Sequence, residues 1–325
     1  MIRSLLGLGL LIGCIPANLA ALQKSVDQQT APKGTEAAFS HFDPQSAVFD
    51  LGNAYLSAVA LQAASGDLDM LTRGGFQHVV QVDGEQTGDK AVIAANQDLL
   101  LILFRAERED VATLWDDLQE GFSDGDGWGC EGCRIQVGGV EAINDLWGNL
   151  TETLNKWRRP GQAVWLSGHG LGGSLAVLAA FRLAKDGVPV QGVYTFGQPR
   201  VGDTRFSQRY ADGLGLAKDG SPLYRIVYES DIVPRLKPPY IKSARMVTNT
   251  LSPYVHFGSM IYLGGDGAIS VNPGLLQDLD ASRFALREHQ NHQLATYLTL
   301  LSDNLGEEDG NLINESVTTI RGLQR

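Results

Sequence analysis

The chain has 325 residues, 43% hydrophobic and 19% charged, enough apolar side chain to bury a large core. Its 26 Lys and Arg against 37 Asp and Glu leave a net charge of −11, with no basic run. That balance argues against a nucleic-acid partner held by phosphate neutralisation and against capture by an anionic membrane, while leaving a neutral lipid surface open.

In chain order, residues 1–21 combine one arginine, a short apolar run and small residues near Ala20, the pattern of a secretory signal. The stretch LIGC ending at Cys14 resembles a bacterial lipobox, so a lipid-anchored form through Cys14 is the alternative to secretion. No later segment reaches the roughly 18 apolar residues that a spanning helix requires. Residues 22–42 are polar and read as a flexible leader. At Asp43 the pattern changes: Asp43 stands as a helix N-cap, Pro44 takes the first helical position, and apolar residues follow at helical spacing.

Strand-like runs come next: FQHVVQV, KAVIAA and DLLLILFRA, the last continuously apolar as in a sheet covered on both faces. From there strands and helices alternate. VEAINDLWGNLTETLNKW is an amphipathic helix, AVWLSG a strand, GGSLAVLAAFRLAKDG a helix and VQGVYTFG a strand. TRFSQRYADGLG then reads as a helix and LYRIVYESD as a strand. Such alternation predicts one α/β domain, a mostly parallel central sheet with helices on both faces, over about residues 43–303, followed by a polar tail at 304–325. Cys130 and Cys133 in an exported chain read as a local disulfide clipping a surface loop; no further ligands stand at metal-site spacing. Nothing in the pattern asks for a metal or a cofactor.

The chemistry concentrates at Gly168-His169-Gly170-Leu171-Gly172. In α/β-hydrolases the sequence G-x-S-x-G bends a strand sharply into a helix and lifts the serine hydroxyl to the sheet edge. Here the frame is complete except that Gly170 replaces the serine. A phosphate-binding loop would need the Lys-Ser/Thr ending, which is absent. Ser167 falls in the strand end and Ser174 one helical turn beyond, so neither occupies the bend.

Taken together, SGHGLGGSLA, TFGQPRVGD, YRIVYESDIVPRLKPP, YVH and ILFRAERED resemble, in order, the class 3 or fungal-type lipase family, over roughly residues 80–300. The resemblance implies an α/β-hydrolase fold and a serine–histidine–aspartate triad acting on acyl esters. It makes Asp231 the triad carboxylate and His292, in NHQLATYLTLL, the triad histidine, with His289 as the competing choice and His256 a structural position. At the oxyanion hole the family has a small hydroxyl residue after FRG, whereas this chain has Glu107; Leu171 supplies the second N–H. The stretch with Val111, Leu114, Trp115 and Leu118 is where the family carries an amphipathic lid; a permanently packed surface helix fits its periodicity equally. Two departures, Gly170 and Glu107, point to a secreted lipase-like protein that keeps lipid or acyl-chain binding while hydrolysis is impaired. The alternatives are an active ester hydrolase that uses water or another nucleophile with His292 and Asp231, and a protein-interaction module with a vestigial pocket.

Overall fold

A computed structural model describes residues 37–106, 122–213, 223–235, 254–273, 289–306, 313–315 and 317–319. The chain starts with a 3₁₀ turn, Ala38–His41, then α1 (Leu51–Ala64) and α2 (Leu68–Arg73). Three strands follow, β1 (His78–Asp83), β2 (Lys90–Ala95) and β3 (Leu99–Arg105). The central part comprises β4 (Phe122–Asp124), β5 (Arg134–Gln136), α3 (Val137–Trp157), β6 (Ala163–His169), α4 (Leu171–Lys185) and β7 (Gly192–Phe196). Beyond it lie β8 (Gly202–Asp203), α5 (Thr204–Gly213), β9 (Leu223–Tyr228), β10 (Tyr254–Val255), β11 (Ser259–Leu263), β12 (Ile269–Val271) and α6 (Leu294–Ser302).

Eight strands form one sheet in the order β1-β2-β3-β6-β7-β9-β11-β12. From β3 to β11 neighbouring strands run parallel; β1, β2 and β12 add antiparallel edges. This is the expected α/β architecture, and the apolar runs explain it. Side chains alternate between the two faces of a strand. On β3, Leu99, Leu101 and Leu103 enter the core shared with α1 and α6, while Leu100, Ile102 and Phe104 enter the core under α3 and α4. On β6, Ala163 and Trp165 go one way and Val164 and Leu166 the other. A strand buried on both sides has no polar face to show, so its sequence reads as an unbroken hydrophobic run.

Aromatic stacking joins three neighbouring strands on the first face: Trp165 to Tyr194 at 5.2 Å, and Tyr194 to Tyr224 at 5.3 Å. Their polar ends are satisfied, Trp165 Nε1 donating to Pro44 O at 2.9 Å and Tyr194 Oη to Asp50 O at 3.2 Å. Those same contacts hold the segment ahead of α1. The helix starts at Leu51, not at Pro44, because Asp50 is the true N-cap: its side chain accepts from Asn53 N at 2.6 Å. Asp43 instead caps a turn through Gln45 N at 3.0 Å.

Buried Phe39 and Ile313 lie outside the 43–303 span drawn from the sequence, and both pack into the core shared with α1. The disulfide between Cys130 and Cys133 is present, yet both cysteines are fully buried in the α3–α4 core, so the pair anchors its turn to that core and is not a clip on a surface loop. Among the described residues no helix is long and apolar enough to cross a membrane.

Candidate active site

The sharp bend between β6 and α4 is centred on Gly170, with φ +53 and ψ −124, a backbone conformation that side chains reach only under strain. Two backbone hydrogen bonds hold it: Gly170 N donates to Phe196 O on β7 at 2.9 Å, and Gly173 N donates to Gly170 O at 3.0 Å. The flanking glycines are required by contact. A Cβ on Gly168 would strike the Gly172 backbone, and one on Gly172 would strike Phe104 O on β3. The glycines and the sheet therefore shape the bend.

Asp231 lies in the turn after β9 and is fully buried. Its Oδ1 accepts from Val233 N at 2.9 Å, which restrains the carboxylate, and Arg235 Nη1 donates to its backbone carbonyl oxygen. Oδ2 accepts from two groups, His292 Nδ1 at 2.8 Å and Tyr297 Oη at 2.5 Å. Burial, then the charge of Asp231, pushes the Tyr297 phenol well above its ordinary range, so it stays protonated and donates. With Nδ1–H committed to Asp231, the lone pair of His292 resides on Nε2. That nitrogen faces the bend: a Cβ built on Gly170 would lie 2.8 Å from Nε2 and 3.3 Å from Cε1.

His169 supports the same ring from behind. The two imidazoles stack at 4.4 Å and 25°. His169 Nε2 is 2.5 Å from His292 O, and a carbonyl only accepts, so His169 carries its proton on Nε2. Burial, with a lesser contribution from the charge of His292, drives its pKa well down and keeps it neutral. Gly197, at φ +60, makes the cluster sterically possible: a Cβ there would lie 2.5 Å from Asp231 Oδ2 and 2.9 Å from the His292 ring.

The residues named from the sequence thus divide clearly. Gly170, Asp231 and His292 come together, and Leu171 stands as the first residue of α4, where helical N–H groups lack intrahelical partners. His289 begins the 3₁₀ turn that ends at His292. His256 lies elsewhere, its Nε2 donating to Pro234 O at 2.7 Å. Glu107 and the stretch from Val111 to Leu118 fall outside the described residues. Ser167 donates to Tyr194 O at 2.9 Å and Ser174 is buried in α4, so neither faces His292. Tyr297 and His169 were missed as neighbours of this pair; the two available signals were an aromatic residue five positions after His292 and a histidine inside the elbow itself. No group of three His, Cys, Asp or Glu among the described residues could hold a metal ion.

A strained strand-to-helix bend with an Asp–His pair aimed at its apex is the arrangement of an α/β-hydrolase. Residues 101–241 match the model of the family Lipase (class 3). Similarity to individual lipases is local. The secreted mono- and diacylglycerol lipase 1 of Fusarium solani is 35% identical over 109 residues, 33% of this chain and 31% of that protein. The lipase of Rhizomucor miehei is 34% identical over 113 residues, 33% of this chain and 30% of its own length. The chain thus spans under a third of the length of these curated relatives. In three dimensions the likeness is wider. The native Rhizomucor miehei lipase propeptide complex superposes with a TM-score of 0.51 at 19% identity, covering 76% of this chain and 82% of that one. At that identity it shows the fold, which is α/β-hydrolase-like.

Proposed function

We propose that this chain is an extracellular, lipid-binding protein of class 3 lipase descent in which ester hydrolysis is impaired for want of the nucleophile. One observation carries the reading: His292 Nε2, backed by Asp231, points at the place where a serine side chain would begin, and Gly170 puts no hydroxyl there. Removing a triad serine costs roughly 10⁶ in turnover in a well-studied protease, whereas acyl-chain binding does not depend on that hydroxyl. By resemblance of sequence Glu107 corresponds to the oxyanion position, where a carboxylate would oppose the developing negative charge further. The ligand is a lipid or acyl ester, met at a neutral lipid surface. Export is supported by the apolar leader over residues 1–21 and by a relative named as a secreted lipase.

A second reading, a working hydrolase that activates water, is favoured by the retention of the whole Asp231–His292–Tyr297 set, which has no evident use in a protein that only binds. Turnover of short and long acyl esters by the unmodified protein, beside Gly170→Ser, separates the two. The expected outcome is unmodified activity at least about 10³-fold below that of Gly170→Ser, with fatty acid binding retained in both. Ordinary lipase rates in the unmodified protein would overturn the impaired reading. Should Gly170→Ser stay silent, Gly170→Ser with Glu107→Ser tests whether the oxyanion carboxylate is the second defect.

A further inference from the structure

We propose that Asn149, on the outer side of α3, is the attachment site of an N-linked oligosaccharide that the chain acquires during export. This goes beyond the lipid-binding reading and rests only on its export clause. Asn149-Leu150-Thr151 has the Asn-x-Ser/Thr spacing that the transfer requires, with no proline between. The helix turns Leu150 into the core and leaves Asn149 exposed. Five other asparagines of the fold are spent on structure: the side chains of Asn53, Asn96, Asn144, Asn272 and Asn304 all hold hydrogen bonds. Among the described residues the side-chain amide of Asn149 holds none. Its neighbour Gly148 is a glycine inside a helix, where alanine is the more stable residue. A Cβ on Gly148 would meet nothing within 4 Å, whereas one on Gly139 in the same helix would lie 2.7 Å from Leu178 Cδ1. Packing therefore explains Gly139 but not Gly148. Bare backbone beside Asn149 leaves room for the first sugar ring to lie against the helix.

The transfer itself belongs to the chain before it folds. Residues two apart in a helix do not face the same side, and Thr151 Oγ1 in the folded helix already donates to Trp147 O at 2.8 Å. Asn149 and Thr151 are presented together only while the segment is extended, before α3 forms. The donor is a lipid-diphosphate-linked oligosaccharide of the exporting cell, handed over by its membrane-bound transferase. Asn149 Nδ2 attacks the anomeric carbon of the first sugar. That C–N bond forms as the C–O bond to the diphosphate breaks; the lipid diphosphate leaves with the electron pair, and the proton shed by Nδ2 passes to solvent. Nothing is oxidised or reduced. When α3 closes, Ile143, Leu146, Leu150 and Leu154 pack inward while the sugar leaves from an exposed position, so folding proceeds with the glycan in water. The second sequon, Asn314-Glu315-Ser316, is less open: Asn314 is half-buried and follows the buried Ile313.

The test expresses the full-length chain behind its own leader in a eukaryotic secretory host and maps the peptide spanning Asn149 by mass spectrometry, before and after treatment with peptide N-glycosidase. The expected result is an oligosaccharide on Asn149 in most secreted chains, with aspartate in its place after the enzyme. This mapping needs no variant. Asn149→Gln and Thr151→Ala each remove that glycan, and Thr151→Ser keeps it. A secreted chain that is bare at Asn149, or that carries its sugar on Asn314 instead, overturns the site. A chain retained in the cell by its own leader, yet glycosylated at Asn149 behind an established secretory leader, overturns the export reading and upholds the site. If Asn149 stays bare behind both leaders, the site falls.

Discussion

Gly197 and Gly170 have nearly the same positive φ, +60 and +53, yet a methyl group would act differently at each. Both carry a backbone cost of about 1–3 kcal/mol in that conformation. At Gly170 the methyl meets the buried His292 ring, 2.8 Å from Nε2, whereas at Gly197 it meets both partners of the Asp231–His292 hydrogen bond, Asp231 Oδ2 at 2.5 Å and the ring at 2.9 Å. Gly197→Ala should therefore lose a further 1.5–3 kcal/mol or so, the worth of a charged hydrogen bond, measured by urea unfolding against Gly170→Ala. It should also abolish the low-field proton signal of His292 Nδ1–H. Equal losses in the two variants would mean that the pair is not packed as described. Gly170, Asp231 and His292, which the fold brings together, could be picked out in the sequence because each stands inside a run with its own signature, such as SGHGLGG or ESDIVPRL. His169 and Tyr297 were hidden because their roles arise from contacts across 123 and 66 residues of chain, which no local spacing records.

At the level of elements, the period-two and continuous apolar runs placed the strands β1, β2, β3, β6, β7 and β9, since a strand buried on one or both faces must write that burial into its sequence. The small sheet β10-β8-β5-β4 was invisible, because strands of two or three residues are too short to show a period. The start of α1 was misplaced for a chemical reason. Asp43-Pro44 and Asp50 are both plausible starts, and only tertiary contacts decide between them: Trp165 and Tyr194 bond the non-helical segment at its two ends, Pro44 and Asp50. Asp50→Ala should accordingly lower stability by about 0.5–2 kcal/mol, as loss of an N-cap does, while Asp43→Ala should cost only a few tenths. Denaturant melts of the two variants decide it. A larger effect at Asp43 would restore the earlier helix start.

For the molecule as a whole, buried neutral histidines set an acid limit. His169 is held well below its ordinary pKa by burial and by the facing His292 ring, whose partner Asp231 and neighbour Tyr297 complete its surroundings. His256 is lowered in the same direction by burial and by Arg225, Arg200 and Arg235 around it; its Nδ1 is sealed from solvent and its Nε2 bonded to Pro234 O. In both cases the folded pKa lies below the unfolded one near 6.5. Below that pH the unfolded chain takes up protons that the folded chain refuses, so stability is complete above about 6.5 and falls as the pH drops beneath it. Each histidine contributes a slope of up to about 1.4 kcal/mol per pH unit, nearly 3 for the two. His256→Gln, which keeps a donor toward Pro234, should remove roughly half of that slope in unfolding measured from pH 7 to pH 5. An unchanged slope would assign the acid limit to other groups. This behaviour was unreadable beforehand, because burial and the arginine surroundings of His256 come from β9, the Val233–Arg235 turn and the segment after β10 meeting in space.

The bend at Gly170 also bears on which residues that position can accept. A nucleophilic serine must be forced into φ +53, and the chain that carries it tolerates that tension for the sake of turnover; a glycine rests there without it. Once the imidazole stands 2.8 Å from where a Cβ would be, readmitting the serine means both reloading the tension and moving a ring that is gripped on three sides, by Asp231, His169 and the wall at Gly197. Gly170→Ser therefore recovers hydrolysis only as far as that buried ring can give way.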